Sequence, residues 1–238
     1  MEGLSPTCEI SVVIPCLNEV ETLPDCLDRV RCALTSSGLT GETIVADNGS
    51  TDGSPETAAR LGAKVLHVTS RGYGNAVAAG VAAAQGRYVV VGDADGSYDF
   101  LEIPRFVAKL REGFDLVQGC RLPAGGGTVA PGAMPLLHRR LGNPMFSWLG
   151  RWLFGTAVHD IHCGLKGFKR RLFLDLDVRS PGFEFNCEML LEATRCGAKI
   201  TELPITLYRD RRRAHPPHLH TFRDGLRHLG FFLLYRLR

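Results

Sequence analysis

Arg87-Tyr-Val-Val-Val-Gly92, running straight into Asp93-Ala94-Asp95-Gly96, governs how the other segments of this 238-residue chain are read. The apolar run is short and rich in β-branched residues, as in a strand buried on both faces of a parallel sheet. Residues two apart on an extended segment share a face. Asp93 and Asp95 therefore point the same way at the strand's carboxyl end, where open α/β sheets place their ligands. Two convergent carboxylates repel each other unless a cation lies between them, and oxygen-only donors suit Mg2+ or Mn2+ better than zinc. Asp, Gly and Ser also build ordinary turns, so the neighbouring segments decide between the two readings.

Those neighbours alternate strand and helix signals, which argues for a parallel sheet with helices on its faces. Upstream, the spacing predicts strands at 10–15, 42–46 and 63–68 and helices at 21–34, 55–61 and 75–85. Downstream it predicts a helix over 103–111 and a strand over 115–119. The pattern then changes. Pro123 to Gly132 is rich in glycine and proline and reads as a flexible loop, a candidate lid. Beyond it come a helical stretch over 134–154, a turn over 159–164, a helix over 184–195, a strand over 200–207 and a last helix from Phe222. The expected fold is one α/β domain, a Rossmann-like, mostly parallel sheet flanked by helices. Residues 8–120 form its nucleotide-binding half and 121–238 its acceptor half.

A net charge of +3 says little, but its distribution says more. Between Tyr208 and His228 lie Arg209, Arg211, Arg212, Arg213, Arg223 and Arg227 with four histidines, opposed by Asp210 and Asp224. Such a block expects an anionic neighbour. The Leu229 to Tyr235 run beside it is far shorter than the roughly 20 residues needed to cross a bilayer, but basic residues next to an apolar helix suit an interfacial anchor. The 8 cysteines show no C-x-x-C spacing and read as reduced thiols. With no basic-then-apolar leader at the N-terminus, the expectation is a cytoplasmic protein with peripheral contact at the inner membrane face.

Other strand ends add to the aspartate pair. Asp47-Asn-Gly-Ser-Thr-Asp52 follows a predicted strand, either as a connecting turn or with Asp47 accepting from a nucleobase N–H. Ile14-Pro15-Cys-Leu-Asn18-Glu19 ends the first strand. Carboxylates at three strand ends would form one acidic crevice. Arg71-Gly-Tyr-Gly74-Asn75 precedes the alanine-rich helix. It is not a dinucleotide fingerprint, because Val77 stands at the third glycine position. Its backbone N–H groups would suit a diphosphate, with Arg71 adding charge.

Taken together, Val12–Glu19, Ile44–Asp52, Arg71–Ala76, Asp93–Gly96 and His159–Gly164 resemble the inverting family 2 glycosyltransferases of the GT-A fold. Within that family the chain is most similar to polyprenyl-phosphate sugar transferases of the dolichyl-phosphate mannose or glucose synthase type. The resemblance implies that Pro15, Asn18, Glu19 and Asp47 hold the base and ribose of a UDP- or GDP-sugar. Asn48 stands beside them, where many members carry a second aspartate. Arg71 and Gly74 would lie near the phosphates, and Asp93-Ala94-Asp95 would hold Mg2+ or Mn2+ against the diphosphate. Arg121 matches a basic residue near an acceptor phosphate. The membrane hairpin of many bacterial relatives is missing from the sequence.

The acceptor decides which further residues matter. A lipid phosphate is already ionised and needs positive charge to position it, from Arg121, Lys166, Arg209 and Arg213. A soluble hydroxyl acceptor needs a general base, for which Asp160 and Glu184 are the candidates, Asp160 also reading as a cap or turn residue. A non-catalytic nucleotide binder is the third reading. Nothing resembles an RNA-recognition signature, so nucleic acid is not an expected partner.

Overall fold

The computed structural model describes residues 8–212 and 221–236. In chain order the strands are β1 (Ile10–Cys16), β2 (Gly41–Asp47), β3 (Lys64–His67), β4 (Tyr88–Val91), β5 (Leu116–Cys120), β6 (Thr128–Val129), β7 (Lys166–Lys169), β8 (Ile200–Pro204) and β9 (Thr206–Leu207). The helices are α1 (Leu23–Ser37), α2 (Ser54–Arg60), α3 (Tyr73–Ala83), α4 (Ile103–Arg111), α5 (Asn143–Phe154), α6 (Arg170–Asp175), α7 (Phe185–Arg195) and α8 (Thr221–Arg236). Seven strands form the main sheet in the order β3-β2-β1-β4-β7-β5-β8, and β6 pairs with β9 apart from it. Every pairing is parallel except those of β7, which runs antiparallel to β4 and β5.

This order places the functional residues. From β1 the chain steps outward to β2 and β3, then returns to lay β4 on the other side of β1. The reversal opens a crevice at the carboxyl ends of β1 and β4, the usual ligand position in such sheets. Glu19 follows one strand and Asp93 the other.

Burial on both faces accounts for the continuous apolar runs. Val12, Ile14 and Val90 join Leu23, Val30, Phe106 and Leu110 in one core, under α1 and α4. Val13, Val89 and Val91 join Val77, Val81, Phe185 and Leu190 in the other, under α3 and α7. Pro24 sits in the first turn of α1, where a missing N–H costs nothing, and Gly38 closes the helix with φ at 64°.

Four features depart from the sequence expectations. β7 lies inside the sheet although its sequence, Lys-Gly-Phe-Lys, has no strand pattern; Gly167 is there because the Phe106 Cβ would lie 3.3 Å from any side chain. The strand expected over 200–207 breaks at Ile205, where the chain leaves β5 and turns to pair with β6. That pairing pins the supposed lid: Thr128 and Ala130 donate backbone hydrogen bonds to Ile205 and Leu207, each 2.9 Å. Gly125 and Gly127 press against Cys120, so they serve close packing and do not mark a free loop. Finally, α8 turns two of its aromatic residues inward. Phe232 and Tyr235 are buried against Phe146 and Phe154, and the Tyr235 hydroxyl donates to Glu192 over 2.8 Å. Among the described residues no helix is long and apolar enough to cross a membrane.

Candidate active site

On the β2 side, Asp47 bends its own loop. Its Oδ1 accepts from the Ser50 N–H at 3.0 Å and its Oδ2 from the Gly49 N–H at 3.3 Å. Asn18, in the left-handed region at φ 56°, accepts from the Thr51 N–H at 2.8 Å and ties that loop to the end of β1. Asn48 is buried and fully used. Its amide donates to the Val68 and Ser70 carbonyls, and its Oδ1 accepts from the Gly72 N–H. An aspartate could not donate to two carbonyls, which explains the asparagine here. Pro15 is buried in β1, and exposed Arg71 lays its guanidinium over Gly49.

The expected diphosphate cradle at the start of α3 is not formed. The Gly74 N–H donates to the Pro181 carbonyl at 2.8 Å, and the Gly72 N–H is taken by Asn48. Both glycines are required because the 180–181 backbone crosses directly over them. That crossing is held by buried Glu188, which accepts from the Arg179 and Ser180 N–H groups.

At the switch point the acidic residues do converge. Asp93 has a buried Oδ1 with no hydrogen-bond partner, and burial together with the charge of Asp95 pushes its pKa up to about 7. The buried Tyr73 hydroxyl faces Asp93, and Lys166 Nζ nearby is buried without a hydrogen-bond partner. Gly164 makes room for the carboxylate: a Cβ there would lie 2.6 Å from Asp93 Oδ2. Asp95 steadies its own turn by accepting from the Ser97 N–H, while Ala94 is buried below. Glu19, across the crevice, is pushed up to about 8 by burial, against the pull of Arg212.

Arg212 was not singled out as a site residue by its sequence position, yet it occupies this crevice. Its guanidinium donates to Glu19 at 2.9 Å and to both oxygens of Asp210, and lies 3.9 Å from Asp95. Burial opposes its charge, but Asp210 and Glu19 more than restore it. The backbone before it straps across the aspartate turn: the Tyr208 N–H donates to the Ser97 carbonyl and the Arg211 N–H to the Asp95 carbonyl. The only sequence hint was a basic run that expected an anion. A half-buried cluster of three carboxylates held by one guanidinium, with an orphaned oxygen on Asp93, has the donor chemistry for a hard divalent ion.

On the acceptor side, Asp160 is fully buried and takes three hydrogen bonds from Arg121, from the backbone N–H at 2.9 Å, Nε at 2.7 Å and Nη2 at 2.8 Å. Glu202 fixes this turn by accepting from the His159 and Asp160 N–H groups. Glu184 stands just before α7 without a side-chain capping bond and pairs with Arg227 of α8 at 2.8 Å. Both candidate bases are thus engaged by guanidinium groups. Lys166 is buried on β7, next to the crevice floor, and burial lowers its pKa to about 8. Arg209 is exposed and reaches over Gly132, whereas Arg213 lies outside the described residues.

Following Arg121, the chain lines a pocket of about 220 Å³ with Leu122, Pro123, Arg139, Arg151 and His159. It is distinct from the acidic crevice. Beside it runs an exposed apolar stripe on one helical face: Leu137, Leu141, Met145, Trp148 and Trp152. The two exposed tryptophans stack with ring centroids 5.8 Å apart and nearly parallel planes.

A switch-point crevice with strand-end carboxylates, in this strand order, fits a GT-A architecture. Residues 11–176 match the family model described as glycosyl transferase family 2, and the chain belongs to that family. It is 38% identical over 232 residues to the low-salt glycan biosynthesis hexosyltransferase Agl6 of Haloferax volcanii, covering 97% of this chain and 54% of that protein. The chain therefore spans about half the length of that relative. A dolichyl-phosphate hexose transferase of Haloferax volcanii is 36% identical over 169 residues, 71% of this chain and 70% of that protein. Among solved structures, glucosyl-3-phosphoglycerate synthase from Mycobacterium tuberculosis with Mn2+, UDP and phosphoglyceric acid matches with a TM-score of 0.72. Identity is 27%, over 96% of this chain and 78% of that one.

Proposed function

We propose that the chain transfers a sugar from a UDP- or GDP-sugar to a polyprenyl phosphate, with inversion at the anomeric carbon. The observation that carries the acceptor is the exposed leucine–tryptophan stripe, which runs beside a mostly apolar pocket whose lining includes Arg139 and Arg151. A lipid tail suits that stripe, and its phosphate would lie toward Arg121. Aromatic and aliphatic side chains flanked by arginines are suited to an anionic bilayer surface. This stripe would add to the anchoring role expected of α8, which buries Phe232 and Tyr235 but exposes Leu229 and Leu234.

Asp93 and Asp95 would hold Mg2+ or Mn2+, and the orphaned Asp93 Oδ1 is a ligand atom without another use. When bound, such an ion neutralises charge developing on a departing diphosphate. The remaining work falls to the chain. Asn18, Asp47 and the loop they hold form the floor under the base, with Arg71 above it. Glu19 closes the ribose side. Arg121, locked in one orientation by Asp160 and with Nη1 on the Tyr98 hydroxyl, would act on the acceptor phosphate as a fixed, buried positive charge. Lys166 and Arg209 add to that field. No general base is needed, because the phosphate oxygen is the nucleophile and is already ionised.

The hydroxyl-acceptor reading would require Asp160 or Glu184 to release a guanidinium before it could take a proton. Transfer assays with Mn2+ and a panel of UDP- and GDP-sugars test the choice, comparing a polyprenyl phosphate with the same polyprenol lacking phosphate. Product from the phosphate alone is expected. Equal transfer to the alcohol, or to soluble hydroxyl compounds only, would contradict the assignment.

A further inference from the structure

We infer that His162, Cys187 and His228 form a second metal site, separate from the acidic crevice, which takes a thiophilic closed-shell cation, Zn2+ or Cu+. Three distant segments supply the ligands: the turn before β7, the first turn of α7, and the middle of α8. One donor atom from each lies within 4.8 Å of the other two. Cys187 and His228 are buried, and His162 Nδ1 is a buried atom with no hydrogen-bond partner.

Packing accounts for part of this cluster only. The two imidazoles meet edge to face with centroids 4.8 Å apart, and the Phe146 ring lies against both. Ring contacts hold the imidazole planes but do nothing for a desolvated ring nitrogen, and leaving such an atom unsatisfied is costly. Burial, reinforced by His228 and Arg121, holds the His162 pKa well below the usual histidine range, so the ring is neutral with a lone pair to offer. Burial raises the Cys187 thiol. A metal reverses that, since the thiol releases its proton to solvent as the sulfur–metal bond forms.

The donor set fixes the class of ion. Two imidazoles and a thiolate favour Zn2+ or Cu+, whereas the oxygen donors of Asp93 and Asp95 favour Mg2+ or Mn2+. The two sites would therefore load independently. Of the nearby positive charges, Arg121 is matched by Asp160, while Lys166 keeps its proton below about pH 8 and so opposes cation binding most at lower pH. The consequence is mechanical. Arg227, next to His228, already pairs with Glu184 beside Cys187, so a metal here clamps one turn of α8 to the start of α7.

Metal-free protein titrated with Co2+, as a spectroscopic stand-in for Zn2+, tests the site. One equivalent should bind with a sulfur-to-cobalt charge-transfer band, and Zn2+ should bleach it. A parallel titration with Cu+ under anaerobic conditions compares the two ions. The Asp93→Asn/Asp95→Asn double variant should keep the band. Cys187→Ser should lose it and bind Zn2+ about 100-fold more weakly, while Cys32→Ser/Cys196→Ser, which removes two exposed thiols, should not. Should Cys187→Ser fail to fold, Zn2+ must still raise the melting temperature of the Asp93→Asn/Asp95→Asn protein. Absence of both the band and that shift, or a band that survives in folded Cys187→Ser, would overturn the assignment.

Discussion

Lys166 illustrates how a residue can oppose stability where it serves a site. Its ammonium is almost wholly buried, has no hydrogen-bond partner, and loses its proton at about 8 instead of 10.5. An unfolded chain keeps that proton to higher pH, so between these values the unfolded state binds more protons and stability rises with pH. The penalty is complete below about pH 8 and fades toward 10.5. Lys166→Met should therefore raise stability on the order of 3 kcal/mol at pH 7, with the advantage shrinking as pH approaches 10. The same variant should lose transferase activity. Melting curves of both proteins across pH 7–10 check this; a gap that stays constant would show that burial of charge is not its source.

The segment carrying Arg212 is the element on which the crevice depends while no donor is bound. Its guanidinium joins Glu19, Asp95 and Asp210, so Arg212→Ala leaves three carboxylates facing one another with nothing between them. Removing one partner from a buried ion pair costs about 3 kcal/mol or more. We expect a lower melting temperature for Arg212→Ala and a larger Mn2+-induced rise than in the wild-type chain, since the ion takes over charge cancellation. Identical Mn2+ shifts in differential scanning fluorimetry would refute this. The aspartates were legible in sequence because strand periodicity fixes which side chains share a face. Arg212 was not, because it lies 117 residues beyond Asp95 and only tertiary folding joins them. β7 was hidden for a related reason. Its Lys166 and Gly167 are chosen for the crevice floor and for Phe106, and they erase the local strand pattern. The glycines at 72, 74, 125 and 127 read as flexibility but exist for close backbone approach.

At the level of the folded chain, the sheet sets the acidic crevice at one switch point, and α5 with the turn before it sets an apolar stripe beside a second, mostly apolar pocket. Charged residues near the C-terminus drew attention to α8, yet a helix can bury its apolar face in the protein or in a bilayer, and the sequence pattern is the same for both. Here α8 buries Phe232 and Tyr235 but exposes Leu229 and Leu234, and α5 exposes Met145, Trp148 and Trp152. Flotation with vesicles rich in anionic lipid should capture the wild-type chain at low salt and less of it at high salt. Trp148→Ala/Trp152→Ala should weaken capture about tenfold or more, since each tryptophan carries a large apolar area. Capture unchanged by that double substitution would move the contact elsewhere.

The proposed sugar transfer presupposes a nucleoside diphosphate bound through a divalent ion at Asp93 and Asp95. Calorimetric titration of UDP and GDP into the chain, with Mn2+ and with chelator, tests that most directly. The expected result is binding of at least one of the two with Mn2+, none with chelator, and none to a folded Asp93→Asn/Asp95→Asn protein. Equal binding in chelator, or by the double variant, would contradict it.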